Sequence, residues 1–408
     1  MIINTRSWLS FSFVNLLIVG VLGALMRYKI GFEFPHFNQL YLQHAHSHFA
    51  FAGWVTHTLY VLMISFVSTK GVLSYERQLS WCVMANLVCA YGMLVSFPLQ
   101  GYGAFSVSFS AGTILAAGFF TFYFWKELNK TVAGHPGNSW FKAGLLLSLM
   151  SSLGTFYLAY MMISGNIQSN LYLASVYYYL HFQYNGFFIF SCFGLILNGI
   201  SSLLPGYRHS PVIFRMFALA VVPAYFLSIL WAKIPLWLYL LVIAAAFLQF
   251  FAWVSFLTKI RKAWPPDREI SWIAGFMLLF AAIAFSIKLV LQLGSTIPQL
   301  SQLAFGFRPI VIAYLHLVLL AVITVFLLAY MYWTNLSDNN KLSRIGLFVV
   351  SAGIFLNELV LAVQGVASFG YVPVPGSNAS LFYIALIILI GLIILILSRI
   401  KSLFVQPV

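Results

Sequence analysis

Three histidines, His46, His181 and His316, stand 135 residues apart inside apolar stretches of a 408-residue chain. Hydrocarbon tolerates imidazole poorly, so one placed in each third of the chain at the same relative position points to a repeated scaffold that gathers nitrogen ligands for a metal or a haem. Four of the nine histidines crowd one stretch, His44-Ala45-His46-Ser47-His48 with His57 further along. On a helix His44 and His48 share one face, and His46 and His57 share another. The i, i+4 pair has metal-binding spacing, and a neutral imidazole bonded to a neighbouring carbonyl satisfies the same geometry.

The elements that must carry these groups follow from composition. Hydrophobic residues make up 62% of the chain and charged residues 7%, too few to clothe a water-soluble surface. Apolar runs of about 20 residues, the length that spans a hydrocarbon core, recur throughout. The pattern predicts an all-α membrane protein with twelve transmembrane helices, at roughly 8–27, 45–68, 79–98, 104–126, 141–164, 172–203, 212–231, 234–257, 270–293, 309–333, 344–366 and 381–399. The first run follows Arg6 and continues to Arg27 and Lys29 without a small-residue cleavage site, which reads as a retained helix. Residues 1–408 form a single polytopic domain in this reading, with possible four-helix units at 1–135, 136–265 and 266–408. Pro265-Pro266 marks a helix stop, and the sixth run, too long for one straight crossing, is expected to lie at the interface in its last residues, up to Leu204-Pro205-Gly206. Cys82, Cys89 and Cys192 all fall within apolar runs and read as small buried hydrophobes rather than a disulfide framework.

Lysines and arginines orient the chain. Sixteen of the 21 fall on the side that holds both ends, and Arg27, Lys29, Lys233, Lys288 and Arg308 fall on the other. By the positive-inside tendency both termini are cytoplasmic, in a membrane expected to be the bacterial inner (plasma) membrane. The net charge of +14 needs no nucleic acid to explain it. In this topology His46, His181 and His316 share one depth near the outer ends of helices two, six and ten. Glu358 and Lys288 are the other ionisable groups in the outer half. Glu358 reads as a proton-relay carboxyl or as the partner of a nearby lysine or histidine, and Lys288 as a side chain that snorkels outward.

With no acidic residue near the three histidines, haem fits the ligand set better than zinc. Axial ligation of an iron porphyrin needs one histidine from each of two helices and an apolar slot rich in aromatic rings. The chain has 40 phenylalanines. Arg27, Lys29, Lys288 and Arg308, at outer helix ends, are candidates to neutralise haem propionates.

At these residues the chain resembles the catalytic subunit of the haem-copper oxidases, the family of cytochrome c oxidase and bacterial nitric oxide reductase. The resemblance implies twelve helices in three four-helix arcs. Ala45-His46-Ser47-His48-Phe49-Ala50-Phe51-Ala52-Gly53-Trp54 is similar to the family's helix-two ligand segment, which implies His46, or else His48, as a low-spin haem ligand. Ala313-Tyr314-Leu315-His316 is similar to the family's His-x-His on helix ten, with His316 in the low-spin position and Tyr314 where the high-spin ligand would stand. Tyr179-Leu180-His181-Phe182-Gln183-Tyr184 resembles the start of the copper site, and Val212–Trp231 lacks the family's histidine pair.

The resemblance implies a bis-histidine haem b that carries electrons or senses a diatomic gas. The second site near His181, Tyr184 and Tyr314, with His44 as a substitute ligand, is modified or empty, so a second haem or copper stays open. Electrons would come from a donor or partner membrane subunit, since no Cys-x-x-Cys-His is present. An active terminal oxidase or nitric oxide reductase with a rearranged centre, a proton-coupled secondary transporter, and a subunit without any cofactor are the alternatives.

Overall fold

The apolar runs form helices because a chain in hydrocarbon must satisfy its backbone donors and acceptors internally. A computed structural model describes residues 4–71, 73–131, 133–204, 206–265 and 270–404, and among these there is no strand. Pro205, Pro266 and Arg268 lie outside the described residues. Eleven helices among the described residues are long and apolar enough to cross a membrane. In chain order they include α1 (Thr5–Gly31), α2 (Gln39–Ser68), α3 (Glu76–Gln100), α4 (Ala104–Lys130), α5 (Gly137–Ser164) and α6 (Ser169–Ser201). After a bent pair, α7 (Pro211–Val221 with Pro223–Ile229), come α8 (Leu236–Ala263), α9 (Trp272–Gly294), α10 (Arg308–Trp333), α11 (Lys341–Phe369) and α12 (Ser377–Ile400). The protein is an integral membrane protein.

The seventh apolar run is not the straight crossing that its hydropathy predicts. Its two halves meet at 41°, and the second half is a 3₁₀ helix. Pro223 causes the break, because it has no N–H to continue the α-helical ladder. Other ends are set by local chemistry. Asn38 accepts from the backbone N–H groups of Leu40 and Tyr41 at 2.9 and 3.3 Å and so starts α2, and Asn4 and Asn340 cap α1 and α11 in the same way.

Two compact units share the chain, Met1–Val132 with Ile270–Phe280 and Thr324–Val408, and Ala133–Glu269 with Ala281–Ile323. Their boundary passes through α9 and α10. Within the first unit α1 packs on α2 and α12, α3 on α4, and α11 on α12. Within the second, α5 packs along α6, and α7 on α8.

Small residues set how closely α11 and α12 approach. A Cβ at Gly391 would stand 2.8 Å from the Val350 backbone nitrogen, and one at Gly346 would stand 3.1 Å from the Gly391 carbonyl oxygen. Gly391→Leu should therefore force the pair apart and cost about 3 kcal/mol, the upper end of the overpacking range, because backbone cannot rotate away. Gly118→Ala on α4, where a Cβ meets nothing within 4 Å, should leave stability within about 0.5 kcal/mol. Denaturant unfolding of the detergent-solubilised variants checks both.

The three histidine-bearing helices differ from the rest in two ways. Of their apolar stretches 89%, 78% and 50% is buried for α2, α6 and α10, against 22–44% in the other eight. Each also contains a run of π-helix, at Ala50–Thr56, Phe182–Phe188 and Leu317–Thr324. A π-helical run is rare, because it strains the ladder and widens the helix, and where it occurs it commonly marks a functional position.

Candidate functional site

Each π run begins just beyond a histidine, four residues after His46 and directly after His181 and His316. Side chains satisfy backbone groups of the first run. Asn15 of α1 donates to the Gly53 carbonyl at 2.5 Å while accepting from the Tyr91 hydroxyl at 2.8 Å, and Asn86 of α3 donates to the Ala52 carbonyl at 2.9 Å. Thr58 Oγ1 donates to the Trp54 carbonyl at 2.6 Å, and the Trp54 indole donates to Thr324 Oγ1 at 2.9 Å. Asn15 and Asn86 are buried amides in hydrocarbon, and carbonyls displaced by the wide turn give them their partners.

The helix-two histidines divide between the two faces expected of them. His46 is half-buried against α1, where a Cβ on Gly23 would come within 3.4 Å of its Cε1, so glycine leaves the imidazole its space. His57, on the same face, is fully buried and donates Nε2–H to the Trp8 carbonyl at 3.2 Å. His44 and His48 both turn to Tyr102. The His44 ring lies 4.5 Å from the Tyr102 ring, and His48 Nε2 is 3.1 Å from the Tyr102 hydroxyl.

In the second unit His316 is bonded to its own helix. Its Nδ1 lies 2.8 Å from the Ile312 carbonyl oxygen, one turn back. A carbonyl only accepts, so the proton of this bond is on Nδ1, and the bond fixes the plane of the ring. His181 has the opposite character. Buried at 2% exposure, it donates Nε2–H to the Val221 carbonyl at 2.8 Å and accepts at Nδ1 from the Asn185 amide at 3.1 Å. Val221 needs that donor because Tyr225 N–H bonds Val222 in the 3₁₀ turn, one residue later than an α-helix would place it. Both His181 nitrogens are committed, so they do not fit a copper ion. Among the described residues no group of three or more His, Cys, Asp or Glu side chains is placed to hold a metal.

Tyr184 and Tyr314 do come together, their rings 6.4 Å apart at 67°. Lys288 overturns its expected outward snorkelling. It is buried at 2% exposure and donates to Gln292 Oε1 at 2.6 Å, and Gln292 donates in turn to Gln249 Oε1 of α8 at 2.7 Å. An acceptor one turn along its own helix holds the ammonium inside, so Lys288 is not at a helix end where a propionate would meet it. Lys29, in the last turn of α1, donates to the Phe34 carbonyl of the loop that follows, and Arg308 is exposed where α10 begins. Glu358 is half-buried and accepts from its neighbour Asn357 at 3.0 Å. The ion pair found among the described residues joins Arg399 to Asp338 at 3.8 Å and does not involve Glu358.

Reasoning from histidines alone missed Asn15, Asn86, Asn185, Gln249 and Gln292. Each is an amide inside an apolar run, which was the available signal. No family model and no curated protein matches the chain.

Proposed function

We propose that the protein is a haem-binding membrane protein resembling the haem-copper oxidase catalytic subunit, which carries electrons or senses a diatomic gas through one bis-histidine haem b. His46 and His316 are its axial ligands, the chain crosses a bacterial inner membrane twelve times with α7 as the bent seventh crossing, and both termini are cytoplasmic. Bound there, the haem supplies a one-electron couple. The observation that carries the reading is the 2.8 Å bond from His316 Nδ1–H to the Ile312 carbonyl, one turn back on α10. That bond orients the ring before any ligand arrives and raises the basicity of Nε2. On α2 His48 faces Tyr102 while His46 lies on the other face, against Gly23 of α1, which favours His46 as the second ligand.

The reading is tested by absorption spectra of the purified protein from haem-replete cells, oxidised and dithionite-reduced. Sharp b-type bands on reduction are expected, unshifted by carbon monoxide, because both axial positions are filled. A colourless protein overturns the reading. Bands that shift with carbon monoxide would support the oxidase or nitric oxide reductase alternative, which needs an open iron position.

One observation favours the proton-coupled transporter. Lys288 lies buried in α9 with a glutamine as its acceptor and no carboxylate within ion-pair distance among the described residues. Intramembrane lysines of this kind mark ion pathways in transporters. Substrate-driven proton uptake into proteoliposomes, lost in Lys288→Met, would support that reading.

A further inference from the structure

We propose that His44 and His48, together with Tyr102, form a binding site for a divalent late transition metal, zinc or copper, separate from the haem ligands. The two imidazoles stand one turn apart on α2 and both pack against the Tyr102 side chain, with ring centroids 4.5 and 5.9 Å away. His48 Nε2 and the phenol oxygen are 3.1 Å apart. A metal with bonds of about 2.1 Å to each would subtend an angle of about 95°, between octahedral and tetrahedral values. His44 adds a second imidazole on the same face, and imidazole is a favoured ligand of zinc and copper.

The loop that carries Tyr102 is held in place. Gly101 takes φ +61 and backs onto the Tyr41 ring, where a side chain would collide. Ser106 Oγ lies 2.6 Å from the Gly101 carbonyl oxygen and accepts from the Gly103 N–H at 2.9 Å. Phe97 stacks on the His48 ring at 4.5 Å and fixes its plane. The metal therefore meets ligands already oriented, and Tyr102 is 42% exposed, so the site is open to an arriving ion. Each neutral imidazole gives one lone pair, the Tyr102 hydroxyl turns its proton from His48 to water and coordinates through an oxygen lone pair, and water completes the coordination shell.

The test is calorimetric titration of the purified full-length protein with zinc, paired with mapping of histidine acylation by diethyl pyrocarbonate. One saturable equivalent is expected, with zinc shielding His44 and His48 in the unaltered protein. His44→Gln and His48→Gln should each weaken binding about tenfold or more, and Tyr102→Phe by a smaller factor. Copper(II) bound at the same site should show nitrogen couplings from two imidazoles. The proposal is overturned if zinc does not saturate, if it shields only other histidines, or if the double variant binds as tightly as the parent. The shielding measurement uses no variant, so misfolding of a substituted protein does not decide the outcome.

Discussion

Replacing His316 by alanine is expected to remove the reduced b-type bands, with haem content falling at least about tenfold after purification. Loss of second-shell partners alone typically costs 10- to 100-fold in affinity, and loss of the ligand itself should cost no less. In His316 the ring is oriented by the Ile312 carbonyl at 2.8 Å, so the nitrogen that would bind iron is set before cofactor arrives. His316→Gly with added imidazole separates ligation from packing, since a free imidazole of the same shape should restore low-spin bands if the side chain binds iron. Haem retained in full with unchanged bands in His316→Ala would sink the assignment.

The membrane class was legible from composition, because 7% charge leaves no means of facing water over 408 residues. Helix placement was legible for the same reason, and the 45–68 and 309–333 runs lie within α2 and α10. The π runs were not. Leu317–Thr324 is apolar at nearly every position, so a change from 3.6 to a wider turn leaves no mark on hydrophobic periodicity. The bend in α7 was visible as Pro223, but hydropathy averaged over the run hides one proline.

The site residues divide along similar lines. His46 and His316 stood out as candidates because imidazole in hydrocarbon is conspicuous, and Gln292 was legible in principle as the residue one turn beyond Lys288. Gln249, 43 residues before Gln292 and on α8, was not, since only packing brings its amide to Gln292. The role of His181 depends equally on a distant backbone atom, the Val221 carbonyl, that carries no side-chain signature. Equal spacing made three histidines look alike, and their hydrogen bonds separate them. His316 bonds a carbonyl of its own helix through Nδ1, whereas His181 joins a distant carbonyl and the Asn185 amide through both nitrogens.

His181→Ala is expected to destabilise the protein by about 3 kcal/mol, because it strands the Val221 carbonyl and the Asn185 amide in a buried site, and each orphaned group costs about 1–3 kcal/mol. A copper ligand would behave otherwise, with metal content falling and stability following the metal. Copper content should be the same with and without His181. The cause lies in the bend of α7, where Pro223 breaks the ladder and Tyr225 N–H bonds Val222 at 3.2 Å, leaving Val221 to the imidazole at 2.8 Å. Pro223→Ala gives the helix back a donor and allows α-helical pairing to resume, so Tyr225 N–H can return to Val221. The two substitutions should therefore couple. In the Pro223→Ala background, His181→Ala should cost about 1 kcal/mol less than in the parent, a coupling within the range expected for residues that share one hydrogen-bond network. Chemical unfolding of the four detergent-solubilised proteins measures the cycle. Strict additivity would show that His181 does not serve the carbonyl at the bend.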